Sequence, residues 1–297
     1  MKRGTTIKRT NNEGLEIERK MITRNHVLKL NTKRCVGCEL CVAVCPQDAI
    51  ELKRGELQEG KLTRRPTVDI APLICNFCGE CVVVCPVNAL ALLEDGQPKI
   101  PVHEYEVFPV LIKQITVDAD ELAANKAEPS AESCPTDVIT VQVKRSKGGK
   151  PTKVESVAVD ERNCIYCKQC EAVAPEAFKV VHPFEGLIRL ERSLCPAGCQ
   201  ACADICPSHA LFMQDGQLVL DDQFCLYCGA CKNVCPVPEA LLVRRHRVRH
   251  APIKSGAWVA AVEKLVSAEL AAEELAIKSQ GKRRSVLNYI PGVPKAN

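Results

Sequence analysis

The apolar positions of this chain fall in short groups, and most are too brief to define an element alone. His26–Leu30 predicts a short strand. Pro46 to Leu52 and Pro86 to Leu93 each predict a short helix followed by an apolar strand. Val138 to Val159 predicts a long hairpin around Lys147-Gly148-Gly149-Lys150, and Leu211 to Leu220 a tighter one turned at Asp215-Gly216. Near the C-terminus Trp258, Val262, Leu265, Val266 and Leu270 share one face of a helix. Gly281 and the basic Lys282-Arg283-Arg284 follow it, and Ile290 to Pro294 reads as extended. Met1 to Asn25 is charged and without clear periodicity, which predicts an arm that is disordered or orders on a partner.

Length changes little: 297 residues suggest about two domains. Cysteine changes the picture, because there are twenty. They stand in a repeated unit, first seen as C-V-G-C-E-L-C-V-A-V-C-P at 35–46. This C-x2-C-x2-C-x3-C-P run wraps three thiolates around one 4Fe–4S cluster and sends the fourth to the other cluster of a pair. The fourth cysteine is expected to start a helix, with Pro46 in its first turn. Disulfides fit poorly, since Met1 to His26 is polar and basic and unlike a signal peptide. Zinc fits poorly too, since its sites show separated C-x2-C pairs. No run approaches the length that spans a membrane, and a reducing cytoplasm is expected. The formal charge of +4 misleads, because each thiolate-bound cluster adds −2 and five would bring the chain to roughly −6. The surplus of Lys and Arg compensates the clusters and gives little support for nucleic acid.

The motifs divide the chain into an N-terminal arm at 1–25, a two-cluster module at 26–104, a one-cluster module at 105–190, a two-cluster module at 191–250 and a C-terminal arm at 251–297. Pairing logic gives the first cluster Cys35, Cys38, Cys41 and Cys85, and the second Cys75, Cys78, Cys81 and Cys45. In the middle, Cys134-Pro135 ends a motif whose triplet positions hold Ala124, Ala127 and Ser130. The next triplet, Cys164, Cys167 and Cys170, has Ala174 where its fourth cysteine would stand. The two losses fall on the same cluster, and Cys134 with Cys164, Cys167 and Cys170 makes the third site. The fourth takes Cys195, Cys199, Cys202 and Cys235, with one extra residue that Gly198 could absorb as a bulge. The fifth takes Cys225, Cys228, Cys231 and Cys206. Five sites of four use every cysteine.

Phe77, Tyr166 and Tyr227 each precede the second cysteine of a triplet and are expected to shield a cluster rather than relay electrons. Arg244 to His250 is a basic run expected to form a solvated face or subunit contact, since no aromatics interleave as single-strand binding needs. His209 is expected on a helix surface. No nucleophile elbow, phosphate loop or dinucleotide fingerprint occurs. The fold expected is α+β: tandem ferredoxin-like modules of the two-4Fe–4S type with a C-terminal helical docking arm.

More of the chain narrows this. Glu18 to Leu28, Glu106 to Leu111, C-P-A-G-C-Q-A-C at 195–202, and Arg247 to Trp258 followed by Glu263-Lys264-Leu265 resemble the polyferredoxin subunit of formylmethanofuran dehydrogenase. The resemblance implies an electron-transfer subunit without substrate chemistry of its own. Its partners would be the tungsten or molybdenum subunit that reduces CO2 to formate, and a metallohydrolase-like subunit that condenses formate with methanofuran. Soluble ferredoxin or heterodisulfide reductase would be further partners. The family's longer members carry more clusters than the five expected here. A polyferredoxin wiring a hydrogenase or heterodisulfide reductase is the alternative. Partners of neither kind include nucleic acid or a membrane.

Overall fold

A computed structural model describes residues 4–252 and 257–267. One pattern of strands occurs three times in it. In the first repeat, β1 (Thr5–Asn11), β2 (Gly14–Lys20) and β3 (Asn25–Asn31) lead to α1 (Leu40–Val44) and β4 (Ile50–Lys53). A hairpin follows, β5 (Glu56–Gln58) and β6 (Lys61–Arg64), then β7 (Thr67–Ile70), α2 (Glu80–Val84), β8 (Leu90–Glu94), β9 (Gln97–Pro98) and α3 (Pro101–Glu104). The outer strand pair is β3 with β8 and the inner pair is β4 with β7, both antiparallel.

The middle repeat comprises β10 (Gln114–Val117), α4 (Ala124–Glu132), β11 (Ile139–Arg145), β12 (Pro151–Val159), α5 (Gln169–Val173) and β13 (Phe178–Val181). Here β10 pairs β13, and β11 with β12 forms the long hairpin expected around 147–150. The third comprises β14 (Phe184–Leu190), α6 (Ala201–Ile205), β15 (Leu211–Gln214), β16 (Gln217–Leu220), α7 (Ala230–Val234) and β17 (Leu241–Val248). Its outer pair is β14 with β17 and its inner pair β15 with β16, the hairpin expected at Asp215-Gly216. Residues 184–190, expected with the middle module, therefore pair with the third.

The expected N-terminal arm is corrected: residues 5–20 form β1 and β2, which extend the sheet in the order β1-β2-β3-β8-β9. Leu15 and Ile17 point into the core, while Lys8 crosses to Asp69 on β7 at 2.5 Å.

The helices after the triplets also differ from expectation. α1 runs before the fourth cysteine, and Cys45 caps its C-terminal end in an extended conformation (φ −64°, ψ 113°). Cys85, Cys206 and Cys235 do the same for α2, α6 and α7. The proline explains this, because a residue preceding proline is pushed out of the α region and the helix stops there. Pro46 thus follows a helix, where proline is common. His209, expected on a helix, lies in the turn after Cys206-Pro207 with φ 54°.

The last described helix, α8 (Ala257–Val266), carries the expected apolar stripe but spends it on its own chain. Trp258 and Leu265 are buried among Leu40, Val44, Val83, Val84, Phe108 and Phe184, so α8 caps the first module's helices and β17. Over Ala257–Val266 the stripe expected to dock on another subunit thus packs back on its own chain. Leu270, Gly281, Lys282 to Arg284 and Ile290 to Pro294 lie outside the described residues. Among the described residues no helix is long and apolar enough to cross a membrane.

Candidate iron–sulfur sites

A left-handed residue precedes the second cysteine of every triplet, and in four of the five another follows it. Gly37, Phe77, Tyr166, Gly198 and Tyr227 precede it, all with φ between 49° and 71°. Glu39, Gly79, Lys168 and Gly229 follow it in four of the five loops, again at positive φ. In the loop with the extra residue, Gly198 keeps the common position (φ 71°) and Gln200 departs to φ −128°. Left-handed backbone turns amide N–H groups inward. Phe77, Tyr166 and Tyr227 N–H groups lie 3.3–3.4 Å from the sulfurs of Cys75, Cys164 and Cys225. Ala49 and Ala89 N–H groups reach the sulfurs of Cys45 and Cys85 at 3.3 and 3.2 Å. Such donors favour thiolate over thiol.

Cysteines from different loops lie close enough to raise one another's pKa. Burial pushes the Cys41 thiol up, and the next influences on it are Cys85, Cys81 and Cys35. Burial likewise raises Cys81, with Cys78, Cys75 and Cys45 nearest after it. Cys167 is pushed up to about 12 by burial, then by Cys170, Cys134 and Cys164 against the help of the Gln169 N–H. Cys202 goes to about 12 by burial, then by Cys235, Cys199 and Cys195. Burial raises Cys231, followed by Cys228, Cys206 and Cys225. Each of these five thiols has a cysteine of another loop among those influences; Cys41 has both Cys85 and Cys81, and Cys231 both Cys206 and Cys202.

Two groups enclose visible cavities. One is lined by Cys134, Cys164, Cys167 and Cys170 with Ile115, Val138 and Tyr166. The other is lined by Cys206, Cys225, Cys228 and Cys231 with Ile188 and Leu211. All twenty thiols are free of disulfides. Among the described residues no three such groups converge as ligands of a single ion. Sulfurs that ring a cavity lined by apolar side chains suit a polynuclear cluster, in which each thiolate takes its own iron. The residues present therefore fit 4Fe–4S groups.

The emptied half of the middle module is filled by protein. Ala124, Ala127 and Ser130 lie three residues apart on α4, hence on one face. Ala127 and Ser130 are fully buried, and so is Ala174. Ser130 Oγ turns back to the Lys126 carbonyl at 2.8 Å and leaves no ligand directed inward. Ala174 also abandons the extended cap of the fourth cysteines (φ −134°, ψ 72°).

The modules are joined at the cysteine loops themselves. Asn88 Nδ2 donates to the Cys164 carbonyl at 2.7 Å, and Lys113 Nζ donates to Asn88 Oδ1 at 3.1 Å. Arg34 spans the same seam, with Nε on the Val87 carbonyl and Nη2 on that of Asn163. Gln169 Nε2 reaches the Ser208 carbonyl at 3.0 Å. The tip of the β5–β6 hairpin sits on the fourth loop: the Gly60 carbonyl accepts from Gln200 N–H at 2.9 Å. A Cβ at Gly60 would lie 2.7 Å from Cys199 Cα, so this approach requires glycine. Sequence pattern did not single out Asn88, Lys113, Asn163 or Arg34, because lone polar residues in loops carry no periodic signal.

Phe77 and Tyr166 are buried as expected of shielding groups, and Tyr227 is partly so. Beside Tyr227, at 6.1 Å between ring centres, lies His182, whose Nδ1 is buried without a hydrogen-bond partner. Burial, then Lys168 and Arg249, press its pKa from the usual 6.5 to about 4. The unfolded chain therefore takes up this proton first, so stability is full above about pH 6.5 and falls as the pH drops toward 4. Between pH 7.5 and 5 the wild type is expected to lose roughly 2 kcal/mol more than His182→Gln in anaerobic urea unfolding. Equal losses in the two proteins would refute the assignment.

Residues 34–89 match the 4Fe-4S dicluster domain family, and residues 225–240 match the 4Fe-4S binding domain family. The chain carries ferredoxin-type 4Fe–4S domains. Such ferredoxin-type domains bind iron through thiolates and transfer electrons. Formate hydrogenlyase subunit 2 of Escherichia coli (strain K12) is 31% identical to this ferredoxin-type chain over 90 residues, which is 27% of this chain and 44% of that protein. An uncharacterised ferredoxin of Methanocaldococcus jannaschii is 27% identical over 94 residues, 30% of this chain and 55% of that one. The chain thus spans less than half of the formate hydrogenlyase subunit. A chain of the formate dehydrogenase–heterodisulfide reductase–formylmethanofuran dehydrogenase complex from Methanospirillum hungatei superposes with a TM-score of 0.74. That likeness covers 89% of this chain and 92% of the other at 26% identity.

Proposed function

We propose that this chain is an electron-transfer subunit that holds five 4Fe–4S clusters and serves a formylmethanofuran dehydrogenase-type complex, relaying low-potential electrons to or from its tungsten or molybdenum subunit. The observation that carries the proposal is the near full-length likeness to a chain of such an assembly, and twenty free cysteines in repeated ferredoxin-type motifs support it. The ligand sets are Cys35, Cys38, Cys41 and Cys85; Cys75, Cys78, Cys81 and Cys45; Cys164, Cys167, Cys170 and Cys134; Cys195, Cys199, Cys202 and Cys235; and Cys225, Cys228, Cys231 and Cys206. When bound, the clusters supply one-electron redox chemistry over a range that protein surroundings set. The chain's own residues hold the thiolates, aim N–H groups at them and exclude water. Catalysis belongs to partner subunits, and the metallohydrolase subunit is one of them.

Native anaerobic purification with identification of the co-purifying subunits tests the partners. Recovery with a hydrogenase and without a tungsten or molybdenum subunit would favour the alternative wiring. Iron analysis tests the ligand sets: twenty cysteines in five complete sites predict twenty irons per chain. Sixteen would mean that one set is wrong, with the Cys195 loop the first to test.

A further inference from the structure

The first and third modules meet at two facing loops, those of Cys38 and Cys228. Cys38 and Tyr227, the residue before Cys228, pack against the same buried cluster. Asn233 on α7 pins the seam by donating to the Gly37 carbonyl at 2.8 Å. Beside it stands Arg245. Its neighbours in the basic run, Arg244, His246, Arg247 and Arg249, are exposed, and Glu185 pairs with the last three. Arg245 is partly buried and turns inward instead. Its Nη1 donates to the carbonyls of Tyr227 (2.8 Å) and Cys228 (3.4 Å), and its Nε to that of Leu265 on α8 (2.6 Å). The guanidinium interacts electrostatically with both Cys228 and Cys38. The room for this comes from Gly186 opposite on β14, where a Cβ would press within 2.8 Å of the Tyr227 ring.

We propose that Arg245 is a positioning residue for electron transfer between the modules, a fixed positive charge between the Cys38 and Cys228 sites that raises the reduction potentials of both. This rests on the five-cluster reading above. The physical reason is that a cation favours the more negative, reduced state of each neighbour, and a guanidinium keeps its charge at any working pH. Because the charge lies between the sites, it moves both potentials in the same direction and leaves the step between them nearly level. The electron lost at one site is the electron gained at the other, with no bond or proton transferred. The tie to Leu265 makes α8 part of the same arrangement, holding the charge in place.

The experiment compares full-length chain, loaded anaerobically, as wild type, Arg245→Gln and Arg245→Lys. Iron content is measured first, and twenty irons in the wild type is the condition for the five-cluster reading. A lower wild-type count refutes that reading and leaves the Arg245 comparison to be scored on whichever clusters Cys38→Ser and Cys228→Ser remove. Potentiometric titration followed by electron paramagnetic resonance then gives each potential. Arg245→Gln is expected to make those two clusters about tenfold harder to reduce, 59 mV for one electron, with the others unmoved. Arg245→Lys keeps the charge and is expected to restore wild-type potentials. Unchanged potentials in the glutamine variant would overturn the proposal and leave Arg245 a structural tie. Should that variant lose iron, the lysine variant decides: wild-type potentials support the charge, and a tenfold shift overturns it.

Discussion

Replacing Cys134 with alanine is expected to remove one cluster of five, or strip one iron from it, while the other four persist. Cys134 is buried in the cavity that Cys164, Cys167 and Cys170 share, and Cys164, Cys167 and Cys170 all respond to its charge. It has no triplet of its own, so its loss leaves a three-thiolate site. Iron should fall from twenty to nineteen or sixteen per chain, with a new three-iron signal in the first case. The converse substitution, Ala174→Cys, restores a fourth cysteine but should add no iron. Ala127 and Ser130 are packed without exposure where partner thiolates would stand. Placing sulfur at the fully buried Ala174 should instead cost about 1–3 kcal/mol through overpacking. Unchanged iron in Cys134→Ala, or twenty-four irons in Ala174→Cys, would refute the account of a half-emptied pair.

Trp258→Ala should destabilise the first module by about 3–5 kcal/mol without removing clusters. Trp258 is almost wholly buried, with its ring 3.9 Å from that of Phe108 between centres and 5.8 Å from that of His250. Alanine would open a cavity beneath α8 and release Leu265, which is buried on the same helix. Trp258→Phe should cost far less. It keeps the contact with Phe108 and removes an indole Nε1 that is buried without a partner. Unfolding followed by fluorescence and by cluster absorbance distinguishes the variants. A cost below about 1 kcal/mol for alanine would show that α8 does not seal this face.

The features legible in sequence were those with fixed spacing or long alternation. Cysteine intervals located every loop, because ligand spacing is fixed along the chain whatever surrounds it. The hairpins at 139–159 and 211–220 were legible because alternation brackets a turn signal. β1 and β2 escaped because polar residues dominate them, and the only apolar side chains of the pair buried in the core are Leu15 and Ile17. Their pairing to β3 depends on a sheet elsewhere in the chain, which local pattern does not carry. The stripe on α8 was visible, but periodicity describes a face and says nothing of what covers it. Arg245 was concealed in a run of similar residues. Burial at one register position, opposite a glycine, separates it from its neighbours.

The return of α8 to α1 also fixes an order of events in synthesis. Leu40, Val44, Val83 and Val84 are covered by Trp258 and Leu265, which the ribosome reaches more than two hundred residues after Leu40. At ordinary elongation rates the first module's helices would wait roughly 10 to 40 seconds for their lid. Through that interval the first module carries an uncovered apolar face, so protection of the nascent chain matters most before β17 and α8 have left the exit tunnel.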